Sequence, residues 1–316
     1  MAVNVLIFGT DDLYPQLKNF YEQAEYQGII KIVGYANFIN NSIKISRNPG
    51  GGGDWIDNLS FQYVIISSQR NFCTYLRILE LQKIPRKNII DGRVFKVPNF
   101  SFNKFLETGT AYGTIDTGNF ALNTHTIYPQ VFVNESRSFL ITLGRKSYIS
   151  VKASVAGFGV VNIENFSSLA QEIQFNLHET GDHDYKRVTN FPLSSVDWYF
   201  PAEFYQHHVG KPPRIINVGS DVWVGQGCSL KCTNRDKPLI IGDGAVIASD
   251  SVVVKNVPPY AIVGGNPAKI IKYRFSEKII AALLRIKWWN WDILKIYDNF
   301  KYFNDIEKFV ELHDKT

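Results

Sequence analysis

Residues 241–270 read IGDGAVIASDSVVVKNVPPYAIVGGNPAKI. Within them Ile241, Ile247 and Val253 recur every six residues. A helix repeats its apolar face every 3.6 residues and a half-buried strand every two, so neither produces this spacing. A six-residue period marks a β-solenoid whose coil has three short sides. The same phase runs upstream through Val218, Val224 and Leu230, through Ile163, Leu169 and Phe175, and through Leu143, Ile149 and Val155. A small or aliphatic residue often stands four places later: Ser147, Ala153, Ser167, Val222, Cys228, Ala245, Ser251 and Val257. Each periodic aliphatic should point into the prism, with the small residue near a corner that has no room for bulk. About eighteen residues close one coil, and stacked coils hydrogen-bond to their neighbours. An ordinary β-sandwich would not hold this phase through four successive runs.

The phase slips by two residues between Val155 and Ile163 and is then interrupted twice. The long interruption, residues 176–215, contains His178, His183, His207 and His208, four of the six histidines. A loop of this length inside a compact repeat is functional or disordered. The short one lies at Thr233–Lys237, where Leu230 and Ile241 stand eleven residues apart instead of six.

Upstream the pattern changes. Val3–Phe8 reads as a buried strand that runs into Gly9, and Leu13, Leu17, Phe20, Tyr21 and Ala24 recur at helical spacing. Apolar runs follow at Ile29–Tyr35 and, after the glycines 50–53, at Tyr63–Ser67. A second helical segment carries Leu76, Ile78, Leu79 and Leu81, Pro85 ends it, and Ile89–Ile90 starts another strand. This order predicts a small parallel sheet with helices on its faces. Such sheets bind ligands at the carboxyl ends of their strands, which singles out Gly9, Thr10, Asp11 and Asp12. The loop GTDDLY lacks the repeated glycines that let a backbone close on a pyrophosphate. Two readings stay open: a module that binds substrate or nucleotide, and one that only packs or orients.

Residues 106–142 show neither a helical nor a clean alternating pattern. Beyond Lys272 the period becomes helical, with Phe275, Ile279, Leu283, Ile286 and Ile293 in one stripe beside Trp288, Trp289 and Trp291. This tail is expected to cap the open end of the prism; a membrane-surface helix is the other reading. The chain thus divides into an α/β unit (1–105), a solenoid (106–274) and a helical tail (275–316).

Composition narrows the function. Of 316 residues, 45% are hydrophobic and 20% charged, which is globular material. A net charge of +5 is too weak to argue for nucleic acid but suits an anionic small molecule. No run of 18 apolar residues exists to span a membrane, and Val3–Phe8 lacks the basic flank of a secretory signal. Three cysteines, Cys73, Cys228 and Cys232, build no disulfide framework and predict a cytoplasmic protein. Cys228 and Cys232 lack the partners of a zinc site, so no metal is expected.

Several segments together resemble a family. VGSDVWVGQGCSL (218–230), the run from Ile241 to Phe275 containing VPPYAIVGGNPAK, and LLRIKWWNWDILKI (283–296) are similar to the hexapeptide-repeat acyltransferases. Within these they resemble the xenobiotic acetyltransferase branch, which includes chloramphenicol and streptogramin acetyltransferases. IENFSSLAQEIQF (163–175) looks like that branch's coil before its catalytic loop, and TGDHDYKRVTNFPL (180–193) like the loop itself. The resemblance covers roughly residues 140–296. It implies a left-handed parallel β-helix, a homotrimer, and acetyl-CoA held in a groove between neighbouring prisms. By its motif the general base is His183. It also implies cofactor contacts from Gln226 and its coil-stacked counterpart Ser249, then Val254 and Lys255, Asn266 and Pro267 at the turn, and Lys269, Lys272 and Arg274 near the phosphates. Family members usually carry a small residue at both Gln226 and Ser249, so Gln226 is a departure, and its side chain must swing away from the cofactor tunnel or narrow it.

The chemistry agrees with that assignment. Acetyl transfer from a thioester needs a nucleophile, a base and a donor to the oxyanion. Histidine titrates near neutrality and can serve as the base. No G-x-S-x-G motif offers a covalent serine route, so direct attack by the acceptor is the economical mechanism. Sugar acetyltransferases with a related solenoid often carry a Rossmann-like N-terminal domain that holds a nucleotide-sugar, and the extra unit here resembles that arrangement. The reading is therefore acetyl transfer to an amine or hydroxyl of a sugar, nucleotide-linked, in surface-polysaccharide or glycan biosynthesis. Antibiotic acetylation is the alternative within the same reaction, and a non-catalytic trimeric scaffold is the alternative outside it.

Overall fold

The computed structural model describes residues 2–10, 12–39, 42–46, 60–115, 120–122, 124–134, 139–178, 186, 188 and 212–315. In the first hundred residues, strands β1 (Val3–Phe8), β2 (Ile30–Ile39), β3 (Ser42–Ser46), β4 (Tyr63–Ile66) and β5 (Ile89–Asp91) form one sheet in the order β3-β2-β1-β4-β5. Alternate residues of β1 serve opposite faces, as a pleated strand requires. Val5 and Ile7 pack with Leu17 and Tyr21 of helix α1 (Tyr14–Tyr26), while Leu6 and Phe8 pack with Leu76 and Leu79 of α2 (Phe72–Leu81). The expected parallel sheet needs one correction. β3 pairs antiparallel with β2, Ile43 opposite Phe38 and Ile45 opposite Ala36, so one edge is a hairpin.

The six-residue phase appears as three parallel ladders. Leu143, Ile163, Val218 and Ile241 stack in one, Ile149, Leu169, Val224 and Ile247 in the second, Val155, Phe175, Leu230 and Val253 in the third. All twelve side chains are buried, as are the eight small or aliphatic residues four places on. The small residues that carry hydroxyls satisfy corner backbone: Ser167 Oγ donates to the Gly219 carbonyl at 2.7 Å, and Ser251 Oγ to that of Ala248 at 2.6 Å. Two corners are built from stacked left-handed residues. One column is Lys146, Phe166, Asp221, Gly244 and Tyr260, the other Lys152, Glu172, Gly227 and Asp250, all with φ between 56° and 71°. Side chains at such φ cost of order 1 kcal/mol each, and glycine avoids that. At Gly244 sterics add a second reason, because a Cβ there would sit 2.4 Å from the Tyr260 ring.

The unreadable stretch 106–142 holds short strands. Ala111–Ile115 and Gln130–Asn134 pair in parallel, and Phe139–Leu143 runs antiparallel beside the latter before leading into the coil. Their inward positions include Gly113 and the buried Gln130, which disguises the alternation. The boundary expected near 105 falls inside a third helix, Phe102–Thr108.

The tail does not plug the end of the prism; it runs back along one corner. It starts at the last coil, where Phe275 meets Tyr260 with ring centroids 5.9 Å apart. After helix Glu277–Ile286, Trp288 packs on Phe166, three coils lower in the same column, and Asn165 donates to Asn290 at 3.2 Å. Arg145, on the first coil, donates from one guanidinium nitrogen to the carbonyls of Trp289, at 2.6 Å, and Trp291. Helix Ile293–Asn299 then reaches the α/β unit: Ile293 and Leu294 pack into the α2 cluster, Arg77 pairs with Asp298 at 2.5 Å, and Arg86 with Asp292 at 3.7 Å. The tail is a strap joining last coil, first coil and N-terminal sheet.

Two outcomes follow from this joint. Arg145→Ala removes a charged donor from two half-buried carbonyls and should cost about 2–4 kcal/mol of unfolding free energy; a loss below about 1 kcal/mol in urea titration contradicts the strap. Lys146 beside it has its Nζ 5.8 Å from the Phe72 ring centre. Burial, then repulsion from Arg93, lowers its amine to about 8 against the opposing pull of Asp91. Between about pH 8 and 10.5 the unfolded chain therefore binds more protons than the folded one, and stability rises with pH across that window. Lys146→Met should flatten that rise in urea midpoints taken at pH 7.5 and 10; an equal slope in the variant excludes the cause given.

Candidate active site

The cofactor positions implied by the coil motifs fall on connected elements. The ladder offset between Trp223 and Val246 is 23 residues, so Gln226 and Ser249 are indeed stacked neighbours. Both are exposed, and the Asp250 N–H donates to the Gln226 carbonyl at 2.8 Å. The Gln226 amide has turned along the corner: Nε2 donates to Glu172 Oε2 at 3.0 Å, and Glu172 Oε1 accepts from Lys152 Nζ at 3.1 Å. Three coils are thus linked by an exposed row of side chains that sequence reading missed. Glu172 and Gln226 are 54 apart in the chain, and only the coil register brings them together.

Val254 is half-buried and Lys255 exposed on the next edge. Asn266 and Pro267 form the exposed tip of the hairpin between strands Ala261–Gly265 and Ala268–Tyr273. Lys269 and Lys272 are exposed on the second of these strands. Arg274 differs from them. Its NH1 donates to Asp221 Oδ2 at 3.0 Å and to the Gly244 carbonyl at 2.7 Å, and its guanidinium lies 5.2 Å from the centres of both Tyr260 and Phe275. Burial pushes the Asp221 carboxyl up, and the arginine opposes that shift. Arg274 therefore braces the corner under the strap, and its charge is already neutralised there. No local signal could reveal its partner 53 residues away.

His183, the expected base, and His207 and His208 lie outside the described residues. His178 is exposed, and its N–H donates to Asn176 Oδ1 at 3.2 Å. Among the described residues no group of His, Cys, Asp or Glu could hold a metal ion, and no helix is long and apolar enough to cross a membrane. Cys228 and Cys232 are buried, their thiols donating to the carbonyls of Ala248 at 3.1 Å and Asn234 at 3.0 Å.

At the N-terminal loop Asp11 also lies outside the described residues. Gly9 has φ 82° and its N–H donates to the Ala36 carbonyl at 2.8 Å. The Thr10 N–H and Oγ1 both donate to Asn37 Oδ1, at 2.9 and 3.1 Å. Asp12 reaches across the carboxyl ends of β1 and β4: Oδ1 accepts from Ser68 Oγ and the Gln69 N–H, and Oδ2 from the Arg70 N–H, all within 3.0 Å. These backbone donors precede α2, the place a ligand phosphate would favour. The chain's own carboxylate holds it.

No family profile matches the chain. A probable macrolide acetyltransferase of Lysinibacillus sphaericus is 36% identical over 155 residues, which are 48% of this chain and 82% of that protein. A chloramphenicol acetyltransferase of Klebsiella aerogenes is 51% identical over 134 residues, 42% of this chain and 61% of that protein. Among solved structures, a hexapeptide-repeat acetyltransferase of Vibrio cholerae, in complex with acetyl-CoA, is 22% identical, covering 43% of this chain and 61% of that one at a TM-score of 0.31. A likeness that low carries nothing about substrate. With three parallel ladders in a six-residue phase and these relatives, the chain belongs to the hexapeptide-repeat acetyltransferases. It is by that membership an enzyme of acyl transfer.

The corner row gives a measurable titration. The Gln226 amide, then Lys152, holds the Glu172 carboxyl below its usual range. Gln226→Ala should let it rise back toward the ordinary glutamate range, followed by carboxyl-selective NMR titration; an unmoved midpoint means the amide is not bound there.

Proposed function

We propose that the protein transfers the acetyl group of acetyl-CoA to an amine or hydroxyl of a sugar, nucleotide-linked, for surface polysaccharide or another glycan. The coil is read as a left-handed β-helix working as a homotrimer, with the cofactor between prisms. The observation that carries the reading is the stacked edge itself: Gln226 and Ser249 present backbone at one corner, followed by Val254, Lys255 and the Asn266–Pro267 tip. Pantetheine amides would bond the corner backbone. Lys255, Lys269 and Lys272 would meet the phosphates, since Arg274 is engaged by Asp221.

His183 acts as general base. The acceptor N–H or O–H gives its proton to the imidazole as its N or O attacks the thioester carbonyl. A backbone N–H holds the oxyanion, the tetrahedral intermediate collapses, and the C–S bond breaks to release CoA thiolate. The proton then passes from His183 to the departing sulfur.

The N-terminal sheet supports a sugar acceptor. A match of 155 residues that fills 82% of the macrolide relative leaves that protein no room for a further hundred-residue unit. The added unit, read as Rossmann-like, is the part free to recognise a different acceptor. Because Asp12 fills the donors before α2, Thr10 and its neighbours would contact the sugar or base and not the phosphates. A second reading, antibiotic acetylation, is favoured by the names of the two relatives.

CoA thiol release separates these readings in a panel of nucleotide-linked amino sugars, free sugars, chloramphenicol and a macrolide. A nucleotide-linked sugar should give the highest kcat/KM. His183→Ala should lower turnover about 10²–10⁴-fold. Turnover confined to chloramphenicol or the macrolide selects the second reading. Release undiminished in His183→Ala removes the base, and no release with any acceptor leaves a scaffold.

A further inference from the structure

The insertion Thr233–Lys237 breaks the repeat, with Leu230 and Ile241 eleven residues apart instead of six. It stands where the 176–215 excursion leaves and rejoins the coil. On the departing side, Lys231 pairs in register with Asn176, and the Cys232 N–H donates to the Asn176 carbonyl at 3.1 Å. On the returning side, Arg214, only 6% exposed, donates from NH1 to the Cys232 carbonyl at 2.5 Å. Arg235, inside the insertion, donates from NH1 to the Pro212 carbonyl at 2.9 Å.

The insertion is itself stiffened. The Asp236 N–H donates to Asn234 Oδ1 at 2.8 Å, and the buried Cys232 thiol to the Asn234 carbonyl at 3.0 Å. Together with Val254 and Asn256 of the following coil it lines an open pocket of about 160 Å³. One short loop therefore touches both legs of the excursion and the edge assigned above to the cofactor.

We propose that Thr233–Lys237 is a clasp that fixes where the His183-bearing excursion meets the coil, with Arg235 and Arg214 as positioning residues for acetyl transfer. The proposal rests on His183 being the base. A general base works only within hydrogen-bond reach of the proton it takes. A misplacement of about 1 Å can cost roughly 10²-fold, so anchoring both ends of a long excursion to one stiff loop protects the rate.

The test measures kcat and the acetyl-CoA KM, with the best acceptor of the panel above, for Arg235→Ala, Arg235→Lys, His183→Ala and the Arg235→Ala/His183→Ala double variant. Carbethoxylation of His183 by diethyl pyrocarbonate gives a readout that needs no acceptor. Arg235→Ala should lower kcat about tenfold or more with the acetyl-CoA KM within about twofold, and change the His183 modification rate. Arg235→Lys should restore part of kcat, and the double variant should be no slower than His183→Ala alone. Wild-type kcat in Arg235→Ala beside an inactive His183→Ala overturns the clasp and leaves the base standing. So does a change in KM alone. An active His183→Ala overturns the base reading and the clasp with it.

Discussion

Everything in this molecule depends on the register of three parallel ladders. Each coil places one aliphatic on each side of the prism, and each stacks directly on its equivalents above and below. Removing an aliphatic side chain of this kind from water is worth about 1.5–3 kcal/mol, and twelve such positions make the coil a continuous core. A one-residue slip would turn every one of them outward, so the register is fixed strongly. That rigidity brings residues more than 20 positions apart onto one edge. Gln226 above Ser249 and Glu172 beside Gln226 are consequences of register, not of local sequence.

The architecture was legible where physics is periodic. The phase of six picked out the inward positions because a three-sided coil has no other way to bury them. The alternating order of strands and helices before residue 100 gave a sheet with helices on both faces for the same reason. Legibility failed where the pattern is short or the partner is remote. Strand β3 carries only Ile43 and Ile45 as inward signals, and the strands before the coil hide their alternation behind Gly113 and Gln130. An amphipathic tail announces that it packs, but not on which surface. Its path was set by Phe166, Arg145 and the α2 cluster, none of them near it in sequence.

At the candidate site the division is similar. Motif spacing located Gln226, Ser249, Val254, Lys255, Asn266, Pro267, Lys269 and Lys272 on exposed or half-buried edges of the coil and its hairpin. It could not foresee that Arg274 is bound to Asp221, or that Asp12 is drawn onto the Gln69 and Arg70 N–H groups. In both cases a charged side chain that looks available in the sequence has a partner within the fold, because a half-buried ion is costly unless paired. His183 and Asp11 lie outside the described residues, and their roles stand on the motif and on the loop position.

The strap also has a bearing on biogenesis. Arg145 is secured by carbonyls 144 and 146 residues further along the chain, and Arg77 by a carboxylate 221 residues further on. A ribosome delivers residues in order, so the amino-terminal sheet and the first coil emerge long before the segment that ties them together. Those surfaces must wait, exposed and unclasped, until residues 289–298 have been made. The seam between sheet and coil is therefore closed only when residues 289–298 emerge, and chains cut short before them lose it.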